Sequence, residues 1–218
     1  ELSSLMDGEL EADEARRAAV TRFDETRAEL GFFHAMVERF RTLPQATIAK
    51  IEGRTRGGGS ELVLSLDMRF AAIGRAVLAQ PEVALGIIPG GSGTQRLPRL
   101  VGRGRALEVV LGCDDFSAEL AERYGYVNRA LPADEIGPFV ERLARRIASF
   151  PAHAIRLAKE AVTAAEPSPV PGLLAEDRCF TRTLADPETR RRMRAFLDSG
   201  GQTREVELDL SALVQRLA

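Results

Sequence analysis

Two glycine clusters, each leading into a stretch of helical periodicity and each accompanied by one glutamate, constrain this chain more than any other feature. The first is Gly57-Gly58-Gly59-Ser60-Glu61; the second is Gly86-Ile87-Ile88-Pro89-Gly90-Gly91, preceded by Gln80-Pro81-Glu82. Three consecutive glycines ahead of a helix leave amide N–H groups unshielded at the positive end of the helix dipole. Such amides can hold an anion or a developing oxyanion. The competing reading is a turn whose φ angles demand glycine. Spacing excludes the common phosphate cradles: Gly86 and Gly91 have the gap of a P-loop, but Ser92 stands where its lysine belongs, and neither cluster contains G-x-G-x-x-G.

The carboxylates are the second constraint. Glu61 is expected in the first turn of a helix, beside Leu62, Val63, Leu64 and Leu66. Burial there would raise its pKa unless hydrogen bonds compensate; an exposed glutamate favoured by the helix dipole is the alternative. Glu82 lies in the nearly uncharged run Leu78 to Leu85 and is either a core-edge acid or a working one. Two carboxylates in unlike environments can divide acid and base roles.

Along the chain, the spacing predicts an exposed helix after a mobile start within residues 1–30, then a helix over 32–40 closed by Pro44. A strand is expected over 46–51, a glycine-dense turn from Gly53, a helix over 60–67, and strands over 68–73 and 76–79 around Gly74-Arg75. A loop over 85–93 precedes helices over 94–100 and 104–111; Ser117 is an N-cap, 126–131 a strand and 134–150 an amphipathic helix. From Pro151 the pattern is helical, broken at 167–171 and at Asp186-Pro187. The expected organisation is an α/β core over 1–150, its parallel strands joined through helices, followed by a helical C-terminal region and tail over 151–218.

Composition narrows the function. With 218 residues, 44% hydrophobic and 28% charged, the chain can bury a full core without disulfide or metal staples. Cys113, Cys179, His34 and His153 have no zinc-ligand spacing, so no metal is expected, and both histidines read as ordinary helix residues. There is no G-x-S-x-G elbow. Net charge is −2, with Lys50 and Lys159 the only lysines, which argues against a nucleic-acid partner. Arg190, Arg191, Arg192 and Arg194 read as a solvated helix face, with contact to an anionic ligand as the alternative. No apolar run approaches a membrane span and no leader opens the chain, so a cytoplasmic location is expected. The first residue is Glu1 rather than Met, the mark of a processed, trimmed or incomplete chain.

The stretch Thr47 to Gly53, then Gly57 to Leu62, then Asp67 to Ala71 resembles the first signature of the enoyl-CoA hydratase/isomerase, or crotonase, superfamily. Ala79 to Val83 with Gly86 to Leu97 resembles its second, and a looser match extends over roughly residues 37–200. The resemblance implies a crotonase-like spiral of β-β-α units whose helical C-terminal part builds homotrimers or hexamers, and acyl-CoA thioester substrates with no further cofactor. By the same carry-over Gly58 supplies an oxyanion-hole amide, Glu61 and Glu82 are the catalytic acids, and Gly57, Gly59, Pro89, Gly90 and Gly91 border the substrate. Having both acids favours addition of water to a 2-enoyl-CoA, giving a 3-hydroxyacyl-CoA. An isomerase or acyl-CoA hydrolase of the same fold, and a non-catalytic binding or scaffold protein, are the alternatives. The family pattern has further strands and a second oxyanion donor ahead of Glu1, so N-terminal units are expected to precede this chain. Arg54, Arg56 and the tail after Gly200 depart from the pattern.

Overall fold

The computed structural model describes residues 30–217; the expectations for the first 29 residues lie outside them. Helix α1 (Phe32–Arg41) is followed by two short strands, β1 (Ile48–Ile51) and β2 (Arg54–Arg56), and then by α2 (Gly58–Leu64). The next unit repeats the order with β3 (Met68–Ala72), β4 (Val77–Ala79), a 3-10 turn over Glu82–Leu85, and the helices α3 (Gly93–Val101) and α4 (Arg103–Gly112). Strand β5 (Phe116–Ser117), α5 (Ala118–Tyr124), β6 (Arg129–Leu131) and α6 (Ile136–Ala148) complete the α/β part.

The strands form two three-stranded sheets between which the chain alternates. One has the order β1-β3-β6, all parallel, with Ile48 opposite Met68 and Phe70 opposite Arg129. The other has the order β2-β4-β5, with β2 and β4 parallel and β5 antiparallel. Each of the first two strand pairs turns a corner from one sheet to the other, and the turn after β3 uses Gly74 at φ +72°. Central strand β3 is apolar at nearly every position and buried beyond its first residue, as a strand covered on both faces must be. One core layer joins Ile51, Ala71, Leu78, Leu97 and Tyr126 between the sheets and helices α2 to α5. On the other side of β3, Phe70 packs edge-on to Phe139 of α6, with ring centroids 5.0 Å apart.

From Ala152 onward the described chain is helical: α7 (Ala152–Thr163), α8 (Val170–Ala185), α9 (Pro187–Asp198), α10 (Arg204–Leu208) and α11 (Leu210–Leu217). Asp186 caps α9 by accepting from the Glu188 amide at 2.9 Å, with Pro187 in the first turn. Ser117 caps α5 as expected, accepting from the Leu120 amide at 3.3 Å. Phe196, Leu210 and Leu213 form a separate cluster against Leu85, so the last helices brace the turn that follows Glu82.

Several boundaries differ from expectation. Strand β2 lies inside the predicted turn: Arg54-Thr55-Arg56 has no apolar alternation and owes its extended form to β4. Helix α2 starts earlier and stops at Leu64, where the Ser65 hydroxyl donates to the Glu61 carbonyl at 2.9 Å. The strand predicted over 126–131 shortens to its last three residues, because Tyr126 is taken into the core. None of the described helices is long and apolar enough to cross a membrane.

Candidate active site

The first glycine cluster runs from the end of β2 into α2. Gly57 has φ +52°, its amide donates to the Ala79 carbonyl at 3.1 Å, and a Cβ there would stand 2.8 Å from Glu82 Oε1. Both backbone angle and space therefore require glycine. Gly58, Gly59 and Ser60 form the first turn of α2, where amides have no intrahelical acceptor. The Phe33 ring lies 3.5 Å from the position a Gly58 Cβ would take, whereas nothing stands within 4 Å at Gly59.

Glu61 follows in the same turn, only 4% exposed, and its carboxylate points into the second glycine loop. Its Oε1 accepts from the Gly91 amide at 2.7 Å and the Gly93 amide at 2.8 Å. A Cβ on Gly91 would meet Glu61 Oε2 at 2.6 Å and collide with the Phe33 ring, so this loop is glycine because it closes on a carboxylate and a ring. Gly90 stands equally close to Phe180, and Pro89 packs against Gly93.

Glu82 opens the 3-10 turn and is buried, and its Oε2 has no hydrogen-bond partner among the described residues. Burial pushes the Glu61 carboxyl up to about 7, with the Gly93 and Gly91 amides pulling it back down. Burial, then the nearby charge of Glu61, pushes Glu82 up to about 8. The acid with two glycine amides on it is the one more readily ionised, and the acid with an unpartnered oxygen, pulled down only by its own backbone amide, is the one that keeps its proton to higher pH. Beneath them Gln80, fully buried, donates through Nε2 to Ser60 Oγ at 3.1 Å, and Ser60 Oγ lies 2.5 Å from the Tyr126 hydroxyl. This chain ties the first turn of α2 to the end of β4.

The predicted residues thus converge: Gly57, Gly58, Glu61, Glu82 and Gly91 surround one region. Two buried neighbours of this region were not anticipated. His34 of α1, read from sequence as an ordinary helix residue, is 2% exposed, with Nε2 2.8 Å from Glu176 Oε1. Glu176, on α8, accepts from the Ser92 amide at 2.6 Å, the Thr94 amide at 2.9 Å and the Thr94 hydroxyl. Burial acts against His34 protonation, but Glu176, Asp177 and Glu61 outweigh it and raise its pKa. One turn further along α1, Glu38 pairs with Arg96, whose Nε donates to Ser92 Oγ at 2.8 Å. No local pattern marks these residues; a lone His and a lone Glu separated by most of the chain carry no spacing signal.

The arginines that depart from the family pattern have other work. Arg56 makes a two-pronged pair with Asp115, at 2.6 and 2.5 Å, and donates to the Glu207 carbonyl; Arg54 donates to the Leu208 carbonyl at 3.0 Å. Both hold the C-terminal end of α10. Arg191 and Arg192 pair with Glu188, and Arg192 also donates to the Ala84 carbonyl at 3.2 Å, next to the turn that carries Glu82.

Comparison with known proteins places this architecture. Residues 14–203 match the enoyl-CoA hydratase/isomerase family model, and the chain belongs to that family, with the crotonase fold. It is similar to a Streptomyces avermitilis protein described as an enoyl-CoA hydratase, whose crystal structure shares 44% identity at a TM-score of 0.82, covering 89% of this chain and 72% of that one. It is 40% identical over 153 residues to a protein of Mycobacterium bovis named a probable enoyl-CoA hydratase, covering 70% of this chain and 59% of the relative. It is 38% identical over 157 residues to the crotonyl-CoA hydratase of Syntrophomonas wolfei, covering 72% of this chain and 60% of the relative. The chain therefore spans less than two thirds of the length of these curated relatives.

Proposed function

We propose that the protein containing this chain processes acyl-CoA thioesters, and that its reaction is hydration of a 2-enoyl-CoA to a 3-hydroxyacyl-CoA. The observation that carries the reading is the unequal carboxylate pair: Glu61 held by two amides and Glu82 buried with one oxygen unpartnered, with the Gly58 amide in the first turn of the helix that carries Glu61. The thioester carbonyl oxygen accepts from the Gly58 amide. Glu61, as carboxylate, takes a proton from a water molecule, and the water oxygen bonds to C3 while the C2=C3 π electrons move onto the thioester as an enolate. The amide stabilises that charge as it forms. Glu82, protonated, delivers its proton to C2, and the enolate electrons return to form the C2–H bond. Glu61 ends protonated and Glu82 ionised, and exchange of one proton with solvent restores the pair.

This route uses no metal and no redox cofactor; coenzyme A enters with the substrate. Arg54 and Arg56, the residues that favour a binding-only role in sequence, are engaged by α10. The reading includes a homotrimer or hexamer, supported by α7, which has no buried residue and exposes Leu157 and Val162. The test is loss of the conjugated enoyl-thioester absorbance of crotonyl-CoA with the complete protein. A shifted double bond or free CoA as product would instead identify an isomerase or a hydrolase, and no turnover with any short or medium 2-enoyl-CoA would end the hydratase reading.

A further inference from the structure

Four consecutive amides, those of Gly91, Ser92, Gly93 and Thr94, are shared alternately between two buried carboxylates. Gly91 and Gly93 donate to Glu61; Ser92 and Thr94 donate to Glu176. A carboxylate offers about four acceptor positions. Glu176 fills them with the Ser92 amide, the Thr94 amide, the Thr94 hydroxyl and His34 Nε2. All of these neighbours donate, so His34 carries its proton on Nε2. Ser92, between the two sets, has φ +98°, a conformation that a non-glycine residue keeps only when its surroundings impose it. Glu176 and Arg96 are those surroundings, the first through the Ser92 amide and the second through its hydroxyl.

We propose that Glu176 is a positioning residue for Glu61: by holding the amides of Ser92 and Thr94 it sets the peptide planes that aim the Gly91 and Gly93 amides at Glu61 Oε1, and His34 holds Glu176 in turn. The inference deepens the hydratase reading and, for its kinetic part, rests on it. The groups facing His34 are Glu176 at 2.8 Å and Asp177 at 3.8 Å, both on α8, with the Glu61 charge beyond them on α2. On α1 itself, Glu38 is turned to Arg41 and Arg96. Replacing Glu176 by glutamine would set an N–H2 group against either the Ser92 amide or the Thr94 amide, neither of which can accept. At least one of the two amides would then lose its acceptor, the left-handed turn at Ser92 would relax, and Glu61 would lose part of its support.

The experiment uses the complete protein with Glu176→Gln, His34→Gln and His34→Leu. It has two readouts: the pH titration of the Gly91 and Gly93 amide resonances, which report Glu61 directly, and the kcat and KM for crotonyl-CoA. In Glu176→Gln the amplitude of both amide titrations is expected to fall by about half or more, because weakened bonds to Glu61 transmit less of its ionisation to the amides; the amplitude is read because the Glu176 charge itself raises the Glu61 carboxyl, so its removal moves the midpoint down. With it kcat falls about tenfold or more while KM changes less than about threefold. His34→Gln keeps a donor for Glu176 and stays near wild type; His34→Leu follows Glu176→Gln. A folded Glu176→Gln protein whose glycine amides titrate as in wild type overturns the proposal. Where that variant does not fold, identical titrations in His34→Gln and His34→Leu overturn it equally. A wild-type protein that leaves crotonyl-CoA unchanged, with the amplitude of the amide titration still diminished in Glu176→Gln, overturns the hydratase reading and leaves the positioning role standing.

Discussion

Glu61 and Glu82 are both buried beside their glycine loops, yet they are held unequally: two glycine amides donate to Glu61 Oε1, while Glu82 has its own backbone amide as donor and an Oε2 with no partner among the described residues. The same burial raises both acids, and the difference in hydrogen bonding orders them, Glu61 at about 7 and Glu82 at about 8. Catalysis as proposed needs Glu61 ionised and Glu82 protonated. The pH profile of kcat/KM is therefore expected to be bell-shaped, with its maximum between about 7 and 8, an acid limb from the first loss and an alkaline limb from the second. A profile flat from pH 6 to 9 would contradict this assignment of roles.

Glu61→Gln and Glu82→Gln are each expected to lower the rate on crotonyl-CoA by about 10²- to 10⁴-fold, the usual contribution of a positioned acid or base. In Glu82→Gln the alkaline limb should vanish along with the rate. Measuring residual rates across pH in both variants separates the two limbs, and an unchanged alkaline limb in Glu82→Gln would assign it to another group.

Stability should carry the same signature with the opposite sense to most carboxylates. Both acids have folded-state pKa values raised above about 4.5, so their contribution is fully present below that pH and is lost as pH rises through about 7 and 8. Glu82→Gln removes the charge that burial penalises. It is expected to raise Tm relative to wild type at pH 9, by roughly 2–4 °C for each kcal/mol relieved in a chain of this size. At pH 5 the difference should disappear; thermal melts at the two pH values decide it.

The glycines are expected to separate by environment. Gly91→Ala would drive a methyl into Phe33 and Glu61, and Gly57→Ala would combine φ +52° with a contact to Glu82. Each should cost about 1–3 kcal/mol or more, as overpacking and left-handed strain do. Gly59→Ala meets nothing within 4 Å and lies in a helix, where alanine is favoured by about 0.5–1 kcal/mol, so its Tm should hold or rise. Melting curves of the three variants check the ranking.

Arg56→Ala should release the C-terminal helices without disturbing the sheets. It removes two bonds to Asp115 and one to the Glu207 carbonyl from a side chain only 6% exposed. A loss of about 1.5–3 kcal/mol is the scale of a charge-assisted bond of this kind. Hydrogen exchange should quicken over 204–217 and stay slow in β1, β3 and β6; uniform quickening would place Arg56 in global stability instead.

The sequence alone determined the local chemistry and the alternation of elements: the two glycine loops, a glutamate beside each, the apolar run of β3, the cap at Ser117, the break at Asp186-Pro187, and the helical character after Pro151. These are legible because each depends on neighbours within a turn or two, on backbone freedom, periodicity or an N-cap. The tertiary structure alone decided what those pieces do to one another. Strand β2 is extended only because β4 lies beside it, and α10 ends where Arg54 and Arg56 await its carbonyls. His34 and Glu176 acquire meaning only when α1 and α8 converge on the amides of Ser92 and Thr94. The pKa order of Glu61 and Glu82 is of the same kind, since desolvation and distant amide donors arise from long-range contacts that no periodicity in the chain records.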